Sequence, residues 1–155
     1  MAEQHSFPRL NLPSVNLRAR HAGGQIEIWE PRRGRYIVLT PEEWVRQHVI
    51  NMLITTGRIP SHNIVCEYPV PLNGQPQRAD IVAMDNRAKP LIVVECKAAD
   101  VSIGDDVLAQ AVRYNSVLKA RYVMITNGLQ HFCYRCENDR YAPCQLSELV
   151  IAYFN

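Results

Sequence analysis

Two acidic residues and a lysine lie beside two apolar segments near the middle of the chain. Asp80 precedes the segment 81–84, and Glu95-Cys96-Lys97 follows the apolar run 91–94. If these segments are neighbouring strands of a hairpin, Asp80 and Glu95 converge at one edge of a sheet. Two close carboxylates repel each other unless a cation neutralises them, and Mg²⁺ accepts one or two carboxylates together with waters and phosphate oxygens. The spacing therefore predicts a metal site formed by Asp80, Glu95 and the backbone carbonyl of Cys96.

The lysine completes this predicted site. Lys97 follows Glu95 by two residues, so both side chains leave the same face of a strand. Its ammonium could orient or deprotonate an attacking water and offset the charge of a phosphorane-like transition state. The alternative is a surface Glu-x-Lys ion pair worth under about 1 kcal/mol. Because the acids end an otherwise apolar strand, where charges are costly, we expect Asp80, Glu95 and Lys97 to be catalytic.

The elements that must position these residues can be read from local signals. Thr40-Pro41-Glu42-Glu43 has an N-cap residue, a proline for the first helical position and a glutamate that completes a capping box. This helix is expected to run to about Thr56 and to end before Gly57. A second helix is expected after Ser102 as its cap, and a short one from Ser147.

Strands are expected between the helices. Period-two or continuously apolar runs bounded by turn residues predict them at 25–29, 35–39, 64–70, 79–84, 91–95, 121–126 and 130–136. This order predicts an α/β fold with a central mixed β-sheet flanked by helices and an N-terminal β-hairpin. Residues 1–24 are expected to form an irregular arm, and residues 25–155 a single domain.

Composition restricts the number of domains, the kind of binding surface and the cellular location that can be predicted. The 155 residues fit one domain, and a net charge of +2 means that any basic surface for nucleic acid must be concentrated locally. No apolar run is long enough for a membrane span, and no secretory signal is visible. Five cysteines without such a signal predict a cytoplasmic protein with free thiols. Zinc binding by Cys133, Cys136 and Cys144 with His131 is disfavoured, because a second well-spaced ligand pair is missing.

The order Asp80, then Glu95-x-Lys97 resembles the PD-(D/E)xK nuclease signature, with Ala79 in place of the proline. Four blocks are similar to the N-terminal domain of type I restriction endonuclease R subunits: TPEEWVRQ (40–47), RADIV (78–82), IVVECKA (92–98) and QAVRYNSVLKARYVMITNG (110–128). The resemblance implies a PD-(D/E)xK restriction-endonuclease-like core and a metal-dependent DNA endonuclease. Mg²⁺ is the implied cofactor, Mn²⁺ a substitute. The implied partners are DNA, and either other restriction-system subunits or a second copy of the chain.

The resemblance also suggests supporting residues. Gln110 and Tyr114 match a Gln-x-x-x-Tyr motif, which implies that they position the catalytic strand or the DNA backbone; the alternative is a core tyrosine and a solvated glutamine. Glu43 could reach the metal from the first helix, although the capping box alone explains it. Arg46, Arg78 and Arg113 are candidates for phosphate contacts, with a solvated surface as the alternative.

One departure from the R subunits sets up a second hypothesis. Those proteins carry a helicase motor after the nuclease, whereas this chain stops at Asn155 without a Gly-rich Walker loop. We therefore expect no DNA translocation by this polypeptide. The alternative to a working nuclease is a catalytically silent DNA-binding or assembly module with a nuclease fold.

Overall fold

The structure is a computed structural model that describes residues 7–155; residues 1–6 of the expected N-terminal arm lie outside the described part. It contains nine strands and three helices within that range. They are β1 (Ala19–Ala22), β2 (Gln25–Glu30), β3 (Arg35–Val38), α1 (Pro41–Thr55), β4 (Ile64–Leu72), β5 (Gln75–Met84), β6 (Pro90–Cys96), α2 (Asp105–Leu118), β7 (Tyr122–Thr126), β8 (His131–Glu137), β9 (Arg140–Cys144) and α3 (Leu146–Val150). Short 3₁₀ turns occupy Ser61–Asn63 and Ala152–Phe154.

The larger sheet has six strands in sequence order, from β4 to β9. Neighbouring strands are antiparallel except for β6 and β7, which are parallel because α2 returns the chain between them. The β6 residues 91–96 are all buried, as expected for a central strand with two covered faces. Alternate β6 residues contact different clusters: Ile92 and Val94 pack with α1, whereas Val93 packs with Tyr114 of α2. The predicted mixed sheet flanked by helices is confirmed.

Helix α1 begins as predicted. The Thr40 hydroxyl oxygen accepts a hydrogen bond from the Glu43 N–H at 3.1 Å, and Pro41 occupies the first turn. The second half of the predicted capping box is wrong, because the Glu43 carboxylate bonds to Arg33, Arg46 and Gln47 instead. Arginine and glutamine side chains thus replace the local backbone bond.

A smaller antiparallel sheet, in the order β1-β2-β3, lies next to α1. The predicted hairpin corresponds to β2 and β3, and Ile28 of β2 is fully buried. The expected irregular arm differs from the structure at 19–22, where β1 pairs with β2. A turn at Gly23-Gly24 brings these strands together, and both glycines have the positive φ angles that favour glycine.

Other differences concern boundaries and one missed strand. Strand β5 begins at Gln75, so Asp80 lies within the strand rather than at its start. Helix α2 begins at Asp105 with Gly104, not Ser102, in the N-cap position. Strand β9 was not predicted; it contains Pro143, and proline is tolerated in an edge strand because no ladder donor is needed on the outer side.

Candidate active site

The two predicted acids meet where β5 and β6 separate. Regular pairing of these strands extends to Ile81 opposite Val94. Beyond that pair, side chains replace the backbone ladder: the Cys96 N–H donates to Asp80 Oδ2 at 2.7 Å, and the Asp80 N–H donates to Glu95 Oε1 at 3.3 Å. Each carboxylate is thus oriented by the strand that carries the other.

The backbone beside Asp80 departs from regular strand geometry. Glu67 of β4 has a φ of +52°, which is unusual for a residue with a side chain, and it lies between the pairs Cys66–Ile81 and Tyr68–Ala79. Residues two apart in a regular strand face the same side, but Cys66 packs with the α1 cluster and Tyr68 with the α2 cluster. The alternation of side chains along β4 therefore changes at Glu67. Departures of this kind cost of the order of 1–3 kcal/mol and tend to occur at functional sites, where they redirect side chains.

Both carboxyl groups resist ionisation. Glu95 is only 4% exposed, and burial raises its pKa to about 8, with the neighbouring Asp80 carboxylate adding to the rise. Burial also raises the pKa of Asp80, although the Cys96 N–H and the Arg46 guanidinium oppose that rise. Burial thus penalises the charged form of both groups, and perturbed carboxyl pairs of this kind occur at cation-binding and acid–base sites.

Arg46 of α1 is the cation closest to this pair. Its side chain is 7% exposed, with Nη2 at 3.2 Å from Asp80 Oδ1 and Nη1 at 3.0 Å from Glu43 Oε2. Glu42 and Glu67 lie farther away, at 3.6 and 3.9 Å. These carboxylates hold Arg46 inside the fold, so the alternative of a solvated helix face is wrong, and its contact with phosphate stays a prediction.

Two glutamates at the start of α1 have different roles. Glu43 is buried and bonds to Arg33 at 2.6 Å and to Arg46, so it reaches Asp80 only through the arginine. Glu42, which was not among the predicted site residues, is half-exposed. Burial raises the pKa of Glu42, and the Asp80 carboxylate raises it further. The sequence signal for Glu42 was its place in the first turn of α1, one position before Glu43.

Lys97 lies at the end of β6. Its backbone N–H donates to the Thr126 carbonyl at 2.9 Å, which holds this segment beside β7. The positive charge of its side chain lowers the pKa values of Asp80, Glu95 and Glu42, against the larger effect of burial. The charge of Lys97 thus acts on both carboxyl groups of the pair, and its catalytic role stays a prediction.

The Gln110–Tyr114 motif of α2 is connected to β5, the strand that carries Asp80. Gln110 Nε2 donates to Tyr114 Oη at 2.7 Å, and Tyr114 Oη donates to Gln77 Oε1 at 3.1 Å. The Tyr114 ring is buried against Val82 and Val93. Gln77 lies on β5, three residues before Asp80. It was not predicted as a site residue, because only the fold brings it to Tyr114.

A comparison with protein-family models identifies the relationship of this chain. The model described as type I restriction enzyme R protein N terminus (HSDR_N) matches residues 41–149. The chain belongs to this family. Membership relates it to a nuclease-like role in restriction systems, and the matched range contains Asp80, Glu95, Lys97, Gln110 and Tyr114. A search of curated proteins finds no significant match.

The remaining candidate residues are two exposed arginines and the three cysteines of β8 and β9. Arg78 is 69% exposed and lies 4.0 Å from Glu67, and Arg113 is exposed on α2. Cys133 faces Cys144 across β8 and β9, while Cys136, three residues along, leaves the opposite face. Within residues 7–155 no group of three or more His, Cys, Asp or Glu side chains could hold a metal ion. No helix in that range is long and apolar enough to cross a membrane.

Proposed function

We propose that this domain is a Mg²⁺-dependent deoxyribonuclease that hydrolyses phosphodiester bonds in DNA, with Mn²⁺ able to substitute. The observation that carries the proposal is a pair of carboxylates, buried Glu95 and partly buried Asp80, each bonded to the backbone of the opposite strand. Their raised pKa values reflect a site in which added positive charge is favourable.

The donor set suits a hard divalent cation. Asp80, Glu95 and the backbone carbonyl of Cys96 supply oxygen ligands only, and Mg²⁺ needs no more than one or two carboxylates because waters and phosphate oxygens complete its shell. A cage of three acidic side chains is therefore not required. When bound, the ion supplies Lewis-acid polarisation of the phosphate and a more acidic water.

The protein groups have separate tasks in this proposal. Lys97 orients or deprotonates the attacking water and offsets negative charge that develops on the phosphate. Gln110 and Tyr114 act as positioning residues, since the tyrosine holds Gln77 on the strand that carries Asp80. Arg78 and Arg113 are exposed and remain candidates for contacts to the DNA backbone.

A second candidate function is a catalytically silent DNA-binding or assembly module. It is favoured because both oxygens of the Asp80 carboxylate already accept hydrogen bonds, Oδ1 from Arg46 and Oδ2 from the Cys96 N–H. If Arg46 satisfies this charge permanently, the fold can be retained without turnover.

Cleavage and binding assays separate these functions. Purified protein is incubated with linear duplex, branched and single-stranded DNA in Mg²⁺ or Mn²⁺. Asp80→Asn and Lys97→Ala test the site. Asp139→Asn and Lys89→Ala are matched controls at exposed positions in the turns after β8 and β5. Cleavage that is lost only in the site variants supports the nuclease. DNA binding that survives Asp80→Asn, without cleavage in either metal, supports the silent module, and neither binding nor cleavage overturns both.

We also propose that the domain acts beside other restriction-system subunits or a second copy of itself. The support is membership of a family described as the N terminus of the R protein of type I restriction enzymes. Light scattering of the purified chain, alone and mixed with the other subunits, measures this directly. A monomer that binds no other subunit overturns this part of the proposal.

A further inference from the structure

One face of the small N-terminal sheet combines arginines with aromatic rings. Trp29 of β2 and Tyr36 of β3 are register partners, with ring centroids 5.4 Å apart and the rings edge to face. The Arg20 guanidinium lies 3.6 Å from the Tyr36 ring centroid, and that of Arg18 lies 5.9 and 6.0 Å from the Trp29 and Tyr36 centroids. These four residues are called the arginine–aromatic face.

The face is ordered although it is accessible. The Arg20 side chain is 51% exposed, yet its Nε is bonded to Glu27 Oε1 at 2.9 Å and its guanidinium lies over Tyr36. A long side chain normally loses conformational entropy on binding, and these two contacts have already removed much of that freedom. A planar cation held in this way offers its outer side to another flat, electron-rich group.

Basic residues are in excess in the N-terminal segment that contains this face. Residues 7–39 contain six arginines, no lysine and two glutamates, whereas residues 40–155 contain eleven basic and twelve acidic side chains. The small net charge of the whole chain therefore hides a basic N-terminal region and a slightly acidic remainder. Of the six arginines, Arg32 and Arg33 are engaged by Glu30 and Glu43, Arg20 is exposed but paired with Glu27, and Arg18 is exposed.

We propose that the arginine–aromatic face binds single-stranded DNA, with bases stacking on the Arg20 and Trp29–Tyr36 surface and phosphates contacting Arg18. Stacking on aromatic rings and guanidinium planes beside positive charge is how proteins hold unpaired nucleic-acid strands. A duplex hides its base faces and would use the charge alone. The face precedes residues 41–149, which the family model matches, so the match by itself does not imply it.

The choice of DNA rests on the proposed function, and the structure connects the two sites. Arg33, in the turn between β2 and β3, bonds to Glu43, which bonds to Arg46 and through it to Asp80. This series of ion pairs attaches the hairpin to the acidic site. An unpaired strand bound on the face is thereby tethered to the same body that carries Asp80, Glu95 and Lys97.

Binding of a fluorescent oligonucleotide without divalent metal tests the proposal, since no cleavage intervenes. We expect the double variant Arg18→Ala/Arg20→Ala to bind a single strand at least about tenfold more weakly. The salt dependence should become shallower by about 0.7 in log–log slope for each arginine lost. Arg20→Lys keeps the charge and loses the planar stack, so its affinity should fall between wild type and the double variant. Arg140→Ala, at an exposed arginine of β9, is the matched control and should bind like wild type.

Each outcome is decisive. Unchanged affinity in the double variant with a lowered melting temperature means that the arginines only cover the rings, and it overturns the proposal. If the double variant loses as much affinity for duplex as for single strand, the assignment of the face to unpaired DNA is overturned. Loss of single-strand binding without loss in Arg140→Ala supports it. If wild type binds no single strand but still cleaves duplex in Mg²⁺, the face proposal fails and the proposed function stands.

Discussion

Replacing Glu95 by glutamine should stabilise the metal-free protein at alkaline pH. Glu95 is buried beside Asp80, and its pKa is raised from a usual value near 4.5 to about 8. An acid with a raised folded-state pKa contributes stability that is fully present below its unfolded pKa and is lost as pH rises towards the folded pKa. Wild type should therefore lose stability between about pH 4.5 and pH 8, with little further change above that. Glu95→Gln cannot ionise, so it should not follow this loss.

The structure gives the size of this effect. Each pKa unit corresponds to about 1.4 kcal/mol, so the full shift sets a ceiling of about 5 kcal/mol. We expect about half of that, 2 to 3 kcal/mol at pH 8, because Arg46 and Lys97 can move towards an ionised Glu95 and partly stabilise it. For a chain of this length the difference corresponds to roughly 4 to 12 °C in melting temperature. The glutamine carbonyl can still accept the Asp80 N–H, so the strand contact is retained.

Urea unfolding in a chelator from pH 5 to 9 measures the difference between wild type and Glu95→Gln. Taking the difference cancels the groups that do not interact with Glu95, including His48, whose pKa is lowered by burial and whose effect on stability has the opposite pH dependence. Adding Mn²⁺ at pH 8 should stabilise wild type and leave the variant nearly unchanged. Parallel pH profiles, or a variant less stable than wild type at pH 8 without metal, would refute the electrostatic reasoning.

Three further substitutions test neighbouring parts of the site. Lys97→Ala should lower the rate of DNA cleavage by about 10²- to 10⁴-fold and leave Mn²⁺ affinity by calorimetry largely intact; an equal loss of both contradicts the assigned role. Tyr114→Phe removes the hydroxyl that bonds to Gln77, so it should cost about 1 kcal/mol in urea unfolding and slow cleavage about tenfold; unchanged cleavage would make the tyrosine purely structural. Arg46→Met leaves the Asp80 carboxylate without its buried partner and should cost about 3 to 5 kcal/mol in metal-free buffer at pH 7, measured by urea unfolding; a smaller loss means that Asp80 takes up a proton instead.

Local chemistry accounts for the parts of the fold that the sequence predicted well. Thr40 and Pro41 define the start of α1 through contacts within one helical turn. The apolar run before Glu95 predicted a central strand, because only such a strand needs apolar residues on both faces. The turn between β5 and β6 then brought Asp80 opposite Glu95 without information from elsewhere in the chain.

The missed features depend on contacts between residues far apart in sequence. Arg46 looked like a surface arginine because nothing near it in sequence shows that Asp80, 34 residues away, will be its partner. Glu43 looked like a capping residue because Arg33 reaches it only after the hairpin has packed on α1. Strand β9 was overlooked because Pro143 is unfavourable in most strands and acceptable only at the edge that the fold creates.

The position of Arg46 links the stability of this domain to its proposed chemistry. Its guanidinium is shared between Asp80, at the site, and Glu43, which is also bonded to Arg33 of the hairpin. A divalent cation at Asp80 would compete with Arg46 for that carboxylate, and Glu43, Glu42 and Glu67 are near enough to keep the displaced guanidinium neutralised. The cost of binding a cation is therefore lowered by carboxylates that need not touch it. Because Glu43 is held by the hairpin, the packing of that hairpin on α1 should influence how readily Asp80 accepts a metal ion.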